Sequence, residues 1–184
     1  MAFLIGGANS AADTGFNIDN SIRFNDGDSA YLYREFTADP DSRKKFTFSF
    51  WVKMSEISQD GGIVSAKTTS NFYSRIFFET GDTIRLQNYS SGNEDILYRT
   101  SGGYLFKDPS AWYHIVFVVD TSESNGNNGI KLYINGVFLT DYSISTYNQN
   151  ATFEFGRSGT TMGIGRDEEG SMVILMDTYQ NFTT

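Results

Sequence analysis

Between Phe46 and Met54 the chain alternates: FTFSFWVKM sets Phe46, Phe48, Phe50 and Val52 against Thr47, Ser49, Trp51 and Lys53. A period of two held this long predicts a strand with one face buried. A second signal lies downstream. The apolar run Trp112 to Val119 ends at Asp120, a Ser/Asn/Gly-rich loop follows, and a further strand, Ile130 to Ile134, meets Asn135-Gly136. Asn-Gly between apolar runs predicts a type I′ hairpin, because both central residues of that turn need positive φ. Further strands are expected at Gly62 to Lys67, Tyr73 to Glu79, Thr83 to Tyr89, Asp95 to Arg99, Thr152 to Gly156, Met162 to Gly165 and Met172 to Met176. Turns at Asp60-Gly61-Gly62, Gly81-Asp82, Ser91-Gly92-Asn93, Gly102-Gly103 and Asn125-Gly126 separate several of them. No helical periodicity persists beyond two turns, so no helix is expected. The fold class is all-β, a two-sheet antiparallel β-sandwich or jelly roll.

Alternation also nominates a core: Phe24, Phe46, Phe48, Phe50, Val52, Phe77, Leu86, Trp112, Ile115, Phe117, Val119, Leu132, Ile134, Phe153 and Ile164. With 184 residues, 39% hydrophobic and 16% aromatic, the chain can build one core without a second domain. The absence of cysteine excludes disulfides and thiolate metal sites, and predicts maturation in a reducing cytoplasm. A net charge of -8 with scattered basic residues argues against nucleic acid as a partner. The one basic cluster, Arg43-Lys44-Lys45, reads as a solvated loop, and no apolar stretch is long enough to span a membrane.

Two strings carry a family resemblance. AWYHIVFVVD followed by IKLYINGV resembles the paired core strands of laminin-G-like and concanavalin A-like sandwiches, and FTFSFWVK matches another strand of that family. NSIRFNDGDSAYLYREF with SRKKFTFSFWVK, within residues 20 to 53, is similar to laminin-G-like domains of tailed-bacteriophage virion proteins. The likeness runs from about residue 18 to 165. It departs at the end, where GSMVILMDTYQNFTT replaces the family's usual closing strand.

This resemblance implies a non-enzymatic virion structural protein decorating or attaching to a head, tail or fibre, in contact with other virion subunits. A lectin-like carbohydrate-binding module and a glycan-cleaving enzyme on the same fold are the competing readings. Enzymes of this fold place acidic residues alternately on one strand, and no such strand occurs here. The adjacent pairs Glu94-Asp95 and Asp167-Glu168-Glu169 would point to opposite faces of a strand. His114, the lone histidine, lies within a strand with no G-x-S-x-G nucleophile elbow in the chain, and reads as a packing residue.

Candidate sites follow from side-chain chemistry. Asn25, Asp26 and Asp28 in one loop supply the hard oxygens that calcium takes; no other cofactor is implied. Asp120, Asn125 and Asn127 in a second loop, with Tyr31 and Tyr33, compose an expected saccharide rim, since an aromatic face stacks on a sugar ring while Asp and Asn bind hydroxyls. Phe72, Tyr73, Tyr89, Tyr142 and Tyr147 are further rim aromatics. The same Asp and Asn residues are ordinary turn formers. Residues 1–17 are Gly/Ala-rich, have no basic secretory n-region, and are expected to form an extended arm ahead of a sandwich spanning 18–184. Phe3, Leu4, Ile5 and Phe16 would be its anchors to a partner subunit.

Overall fold

The computed structural model describes residues 22–24, 30–54, 56–101 and 106–166, with the backbone of 178–182. Two antiparallel sheets stack face to face. Sheet A runs β1 (Ile22–Phe24), β13 (Thr178–Phe182), β3 (Lys45–Met54), β8 (Tyr113–Asp120), β9 (Ile130–Ile134) and β10 (Val137–Phe138). Sheet B runs β11 (Tyr142–Tyr147), β7 (Asn93–Thr100), β6 (Thr83–Ser90), β5 (Phe72–Glu79), β4 (Gly61–Thr69), β12 (Thr161–Ile164) and β2 (Leu32–Glu35). The expected all-β sandwich is therefore the fold. Strands β4 to β7 form a meander joined by short turns, while sheet A takes its strands from distant parts of the chain.

The alternating strand behaves as its pattern dictates. In β3 the register Phe48 to Phe117 and Phe50 to Ile115 sets the apolar series of two neighbouring strands against sheet B. Phe50, Val52, Ile115, Phe117, Val119, Leu132 and Ile134 are buried in one cluster with Ile76, Phe78, Ile84, Leu86, Ile96 and Tyr98 from the opposite sheet. The Asn135-Gly136 turn has the required positive φ, 52° and 79°. Its asparagine does a second job: Oδ1 accepts the His114 backbone N–H at 2.8 Å, fixing the first rung of the β8–β9 hairpin.

Some expectations fail, each for a local reason. Trp112 precedes β8 and is 39% exposed rather than in the core. Phe46, Phe48 and Ile164 pack on the core from its margin, half-buried. Phe77 is buried, but on the outer face of sheet B, because the unbroken run Ile76-Phe77-Phe78 does not by itself set parity and the flanking residues turn Ile76 and Phe78 inward. The Arg75 and Arg85 guanidinium carbons lie 4.3 and 5.7 Å from its ring centre and cover it.

Thr152 to Gly156 is no strand. It is an irregular plug whose backbone bonds to side chains and distant carbonyls: Phe153 N–H donates to Arg43 O at 2.9 Å and Glu154 N–H to Ser74 Oγ at 2.7 Å. Ser74 in turn donates to Asn88 Oδ1 at 2.6 Å, and Asn88 Nδ2 reaches Thr152 O at 3.2 Å. The Ser/Asn/Gly loop contains one unexpected helical turn, α1 (Gly126–Gly129). Strand β11 is not predicted either; Tyr142 and Ile144 alternate with serines, but a bulge between Ile144 and Thr146 breaks the period before Tyr147. The strand expected at Met172 to Met176 and the arm of residues 1–17 lie outside the described residues.

Candidate functional site

The outward face of sheet B carries charge where a sandwich surface needs only polarity. Tyr73, Arg75, Phe77 and Glu79 of β5 share that face with Arg85, Gln87 and Tyr89 of β6 and with Arg99 of β7. At the end where Gly81-Asp82 turns β5 into β6, a cavity of about 470 Å³ opens, lined by Glu79, Thr80, Gly81, Thr83, Arg99, Thr100, Ser101 and Ser143. Its turn is braced from outside, because Asp60 Oδ1 accepts the Thr80 N–H at 2.8 Å and the Asp82 carboxylate binds Ser58. Ser143 enters through β11, whose register places it opposite Arg99.

Glu79 organises this cavity. Arg99 grips it through one edge of its guanidinium, Nε to Oε2 at 2.7 Å and Nη2 to Oε1 at 3.0 Å. Arg85 Nη1 approaches Oε1 at 3.1 Å and the Thr83 hydroxyl donates to Oε2 at 3.2 Å. With 14% of its side chain exposed, the carboxylate is largely desolvated, and two guanidinium groups offset that cost. Farther along the face, Tyr73 and Tyr89 stack at 5.0 Å and Arg75 Nε donates to Gln87 Oε1 at 2.7 Å. Tyr73 is buried to 5% exposure, so this aromatic pair packs on its own neighbours rather than offering an open platform.

The residues nominated for a saccharide rim do not converge. Tyr33 pairs with Gly163 on the outward face of sheet B, at the edge strand β2; Tyr31 lies 6.0 Å from its ring, beneath the Arg166 guanidinium at 4.5 Å. Asp120 ends β8 on the outward side of sheet A. It bonds Lys45 Nζ at 2.8 Å and the Ser122 N–H at 2.9 Å, and Lys45 above all, with the Ser122 hydroxyl, pulls its carboxyl down to about 2. Asn125 caps the single helical turn by accepting from Asn128 N–H at 3.1 Å, and Asn127 accepts from the Tyr142 hydroxyl at 3.4 Å. Those side chains act as turn formers. Tyr142 stacks on Tyr98 and the Tyr147 hydroxyl donates to Glu123 O at 2.9 Å, so both are bound into the frame. The Asn25, Asp26 and Asp28 loop lies outside the described residues.

A family model for the concanavalin A-like lectin/glucanases superfamily matches residues 24–173. The chain belongs to that superfamily. A solved structure of the Ruminococcus gnavus IT-sialidase CBM40 bound to alpha2,6 sialyllactose aligns over 83% of this chain and 94% of its own, at a TM-score of 0.54 and 10% identity. Domains LG4-5 of the mouse laminin alpha1 chain align over 83% of this chain and 38% of theirs, at a TM-score of 0.51 and 10% identity. The K499G mutant of NanB sialidase from Streptococcus pneumoniae aligns over 88% of this chain but 24% of its own, at 0.52 and 14%. At such identities the likeness is one of fold. No curated protein sequence matches the chain.

The superfamily's frame also clarifies what the cavity can do. Among its described lining residues Glu79 is the sole carboxylate, and four donors already saturate it. Most glycoside hydrolases cleave with a pair of carboxyl groups about 5 to 9.5 Å apart. Recognition needs less: fixed donors and acceptors around a polar hollow, which hydroxyls and a locked ion pair provide. Among the described residues no group of three or more His, Asp or Glu side chains could hold a metal ion. His114 stacks on Trp51 at 4.9 Å and bonds Ser49 Oγ at 3.0 Å through Nε2.

Sequence reasoning overlooked Glu79, Arg99 and Ser143. The available signal was parity within β5, where Arg75 and Glu79 fall in step with Phe77 and announce a charged outer face.

Proposed function

We propose that this chain is a non-enzymatic saccharide-binding domain whose ligand enters the cavity bounded by Glu79, Arg99 and Ser143. The observation that carries the reading is the cavity itself: about 470 Å³, walled by Thr80, Thr83, Ser101 and Ser143, with its one carboxylate clamped in place. Hydroxyls and a preformed ion pair match the alternating donors and acceptors of a sugar, and their rigidity lowers the ordering cost of binding. A sugar-bound relative on this fold fits the same reading. A glycan array probed with the full chain should return a discrete set of saccharides. Ser143→Trp, which fills the hollow from the exposed edge strand β11, is expected to abolish that binding while the melting temperature stays within a few degrees. Unchanged binding by this variant would move the site elsewhere.

A second reading is favoured by the string at residues 20–53: the domain is a bacteriophage virion subunit, held in the particle by other virion subunits and presenting its sandwich to a host-surface glycan. Residues 1–17 would be the attachment device, with Phe3, Leu4, Ile5 and Phe16 as apolar anchors. Deleting residues 2–16 is expected to leave the melting temperature nearly intact and to abolish incorporation into particles. Normal copy number in particles built with the truncated chain would reject the arm.

A further inference from the structure

Arg99 uses one edge of its guanidinium on Glu79, through Nε and Nη2. A guanidinium has five N–H donors arranged along two bidentate edges. The other edge, Nη1 with the second hydrogen of Nη2, has no hydrogen-bond partner among the described residues, and 47% of the side chain is exposed at the cavity wall. Arg99 is the one cation among the described lining residues; Arg85 backs Glu79, while Asp60 and Asp82 brace the turn from outside. Arg85 cannot turn to serve another group, because it lies against Phe77 and bonds Glu79, with 19% of its side chain exposed. The lining cation is held at a fixed angle by the carboxylate behind it.

We propose that the cavity selects an acidic sugar, whose carboxylate docks on the free edge of Arg99 while its ring hydroxyls meet Thr80, Ser101 and Ser143. The proposal rests on the saccharide-binding reading above and narrows it to a ligand class. A carboxylate fits the guanidinium edge in a planar, two-bond geometry that a neutral hydroxymethyl group cannot reproduce. Glu79 contributes by orientation: it immobilises Arg99, so little rotamer freedom is lost when the ligand arrives. Repulsion from Glu79 itself is offset by Arg85 on its other side.

The test compares methyl glycosides that differ only in the carboxylate. The full chain is titrated with methyl glucuronide against methyl glucoside, and with methyl galacturonide against methyl galactoside, following backbone amide shifts by NMR. At least one acidic glycoside is expected to bind about tenfold or more tightly than its neutral counterpart, a ratio of the size that one charge-assisted bidentate contact supplies. Shifts should centre on Thr80, Ser101 and Ser143, and the preference should shrink as salt is raised. Arg99→Gln is expected to erase the preference. Arg99→Lys, which keeps the charge beside Glu79 and loses the fork, should retain the fold and most of the salt dependence but only a fraction of the preference. Equal binding of acidic and neutral glycosides at these amides would overturn the acidic-sugar proposal and leave saccharide binding standing. A discrete set of neutral glycans on the array would do the same. Silence toward all four glycosides, together with an empty glycan array, would overturn both.

Discussion

Replacing Glu154 by alanine should cost about 3 kcal/mol of folding stability, more than an isolated surface ion pair could account for. The residue is 3% exposed, within the segment that plugs the space beside the Phe46–Phe48 margin of the core. Arg157 Nη1 reaches its two oxygens at 3.1 and 2.9 Å, Arg43 Nη1 stands at 3.5 Å, and the Thr68 hydroxyl makes a short bond to Oε2. Thr68 is itself tied to Thr160 at 2.9 Å, so the carboxylate gathers β4, the approach to β3 and the segment that follows the plug into one network. Truncation leaves two guanidinium groups facing a hole. Both are partly solvated, at 23% and 36% exposure, which holds the expected loss to the lower end of the range for a broken buried pair. Glu154→Gln keeps the shape and one acceptor and should lose roughly half as much. Urea denaturation of the three proteins is the measurement. A loss below about 1 kcal/mol for the alanine variant would mean that water replaces the carboxylate without penalty and that the network is ornamental.

That network was out of reach of the sequence for a definite reason. Thr152 to Gly156 has the alternating Phe153 and Phe155 of a strand, and those two rings do face the core, stacked 5.8 Å apart. What decides strand from plug is where the backbone bonds go. Here they go to Ser74 and Arg43, residues 80 and 110 positions away in the chain. Periodicity reports which side chains are buried and says nothing about the partner of a backbone amide. In β3 and in the β8–β9 hairpin the two questions have one answer, because adjacent strands supply both the burial and the ladder.

The cavity was lost to a single extra residue. Counting back from the turn at Ser91-Gly92, Ser90 opposes Asn93, and an unbroken ladder would set Arg85 opposite Tyr98. The register instead shifts between Asn88 and Tyr89, so Arg85 opposes Arg99 and Leu86 opposes Tyr98. One bulge thereby turns Tyr98 into the core and brings Arg99 out beside Glu79. The aromatic and amide residues that looked like a binding rim were legible as turn and rim chemistry, and the structure uses Asn125 and Asp120 in that capacity. Loop composition identifies residues suited to a turn and a ligand alike; only the neighbours separate the two uses.

Phe117→Ala is expected to show the largest loss of any single truncation discussed, about 3 to 5 kcal/mol, and Trp112→Ala about 1 kcal/mol or less. The pair is chosen because the pattern of apolar positions ranks them together, within one run of β8 and its approach. Phe117 is fully buried, flanked by Phe48 on β3 and Leu132 on β9. Its ring meets Tyr98 of the opposite sheet edge-on at 5.8 Å, bridging the two layers. Strands on both sides hold the backbone, so the site cannot collapse to fill the void, and the cavity penalty adds to the lost burial. Trp112 lies outside the ladder, and with 39% of its surface already in water its truncation removes less apolar area from the interior and opens no enclosed hole. Chemical denaturation of both variants, with the slope against denaturant checked for constancy, gives the two losses directly. Comparable values for the two would mean that the run is buried without alternation, and that β8 does not present one face to the core and the other to solvent.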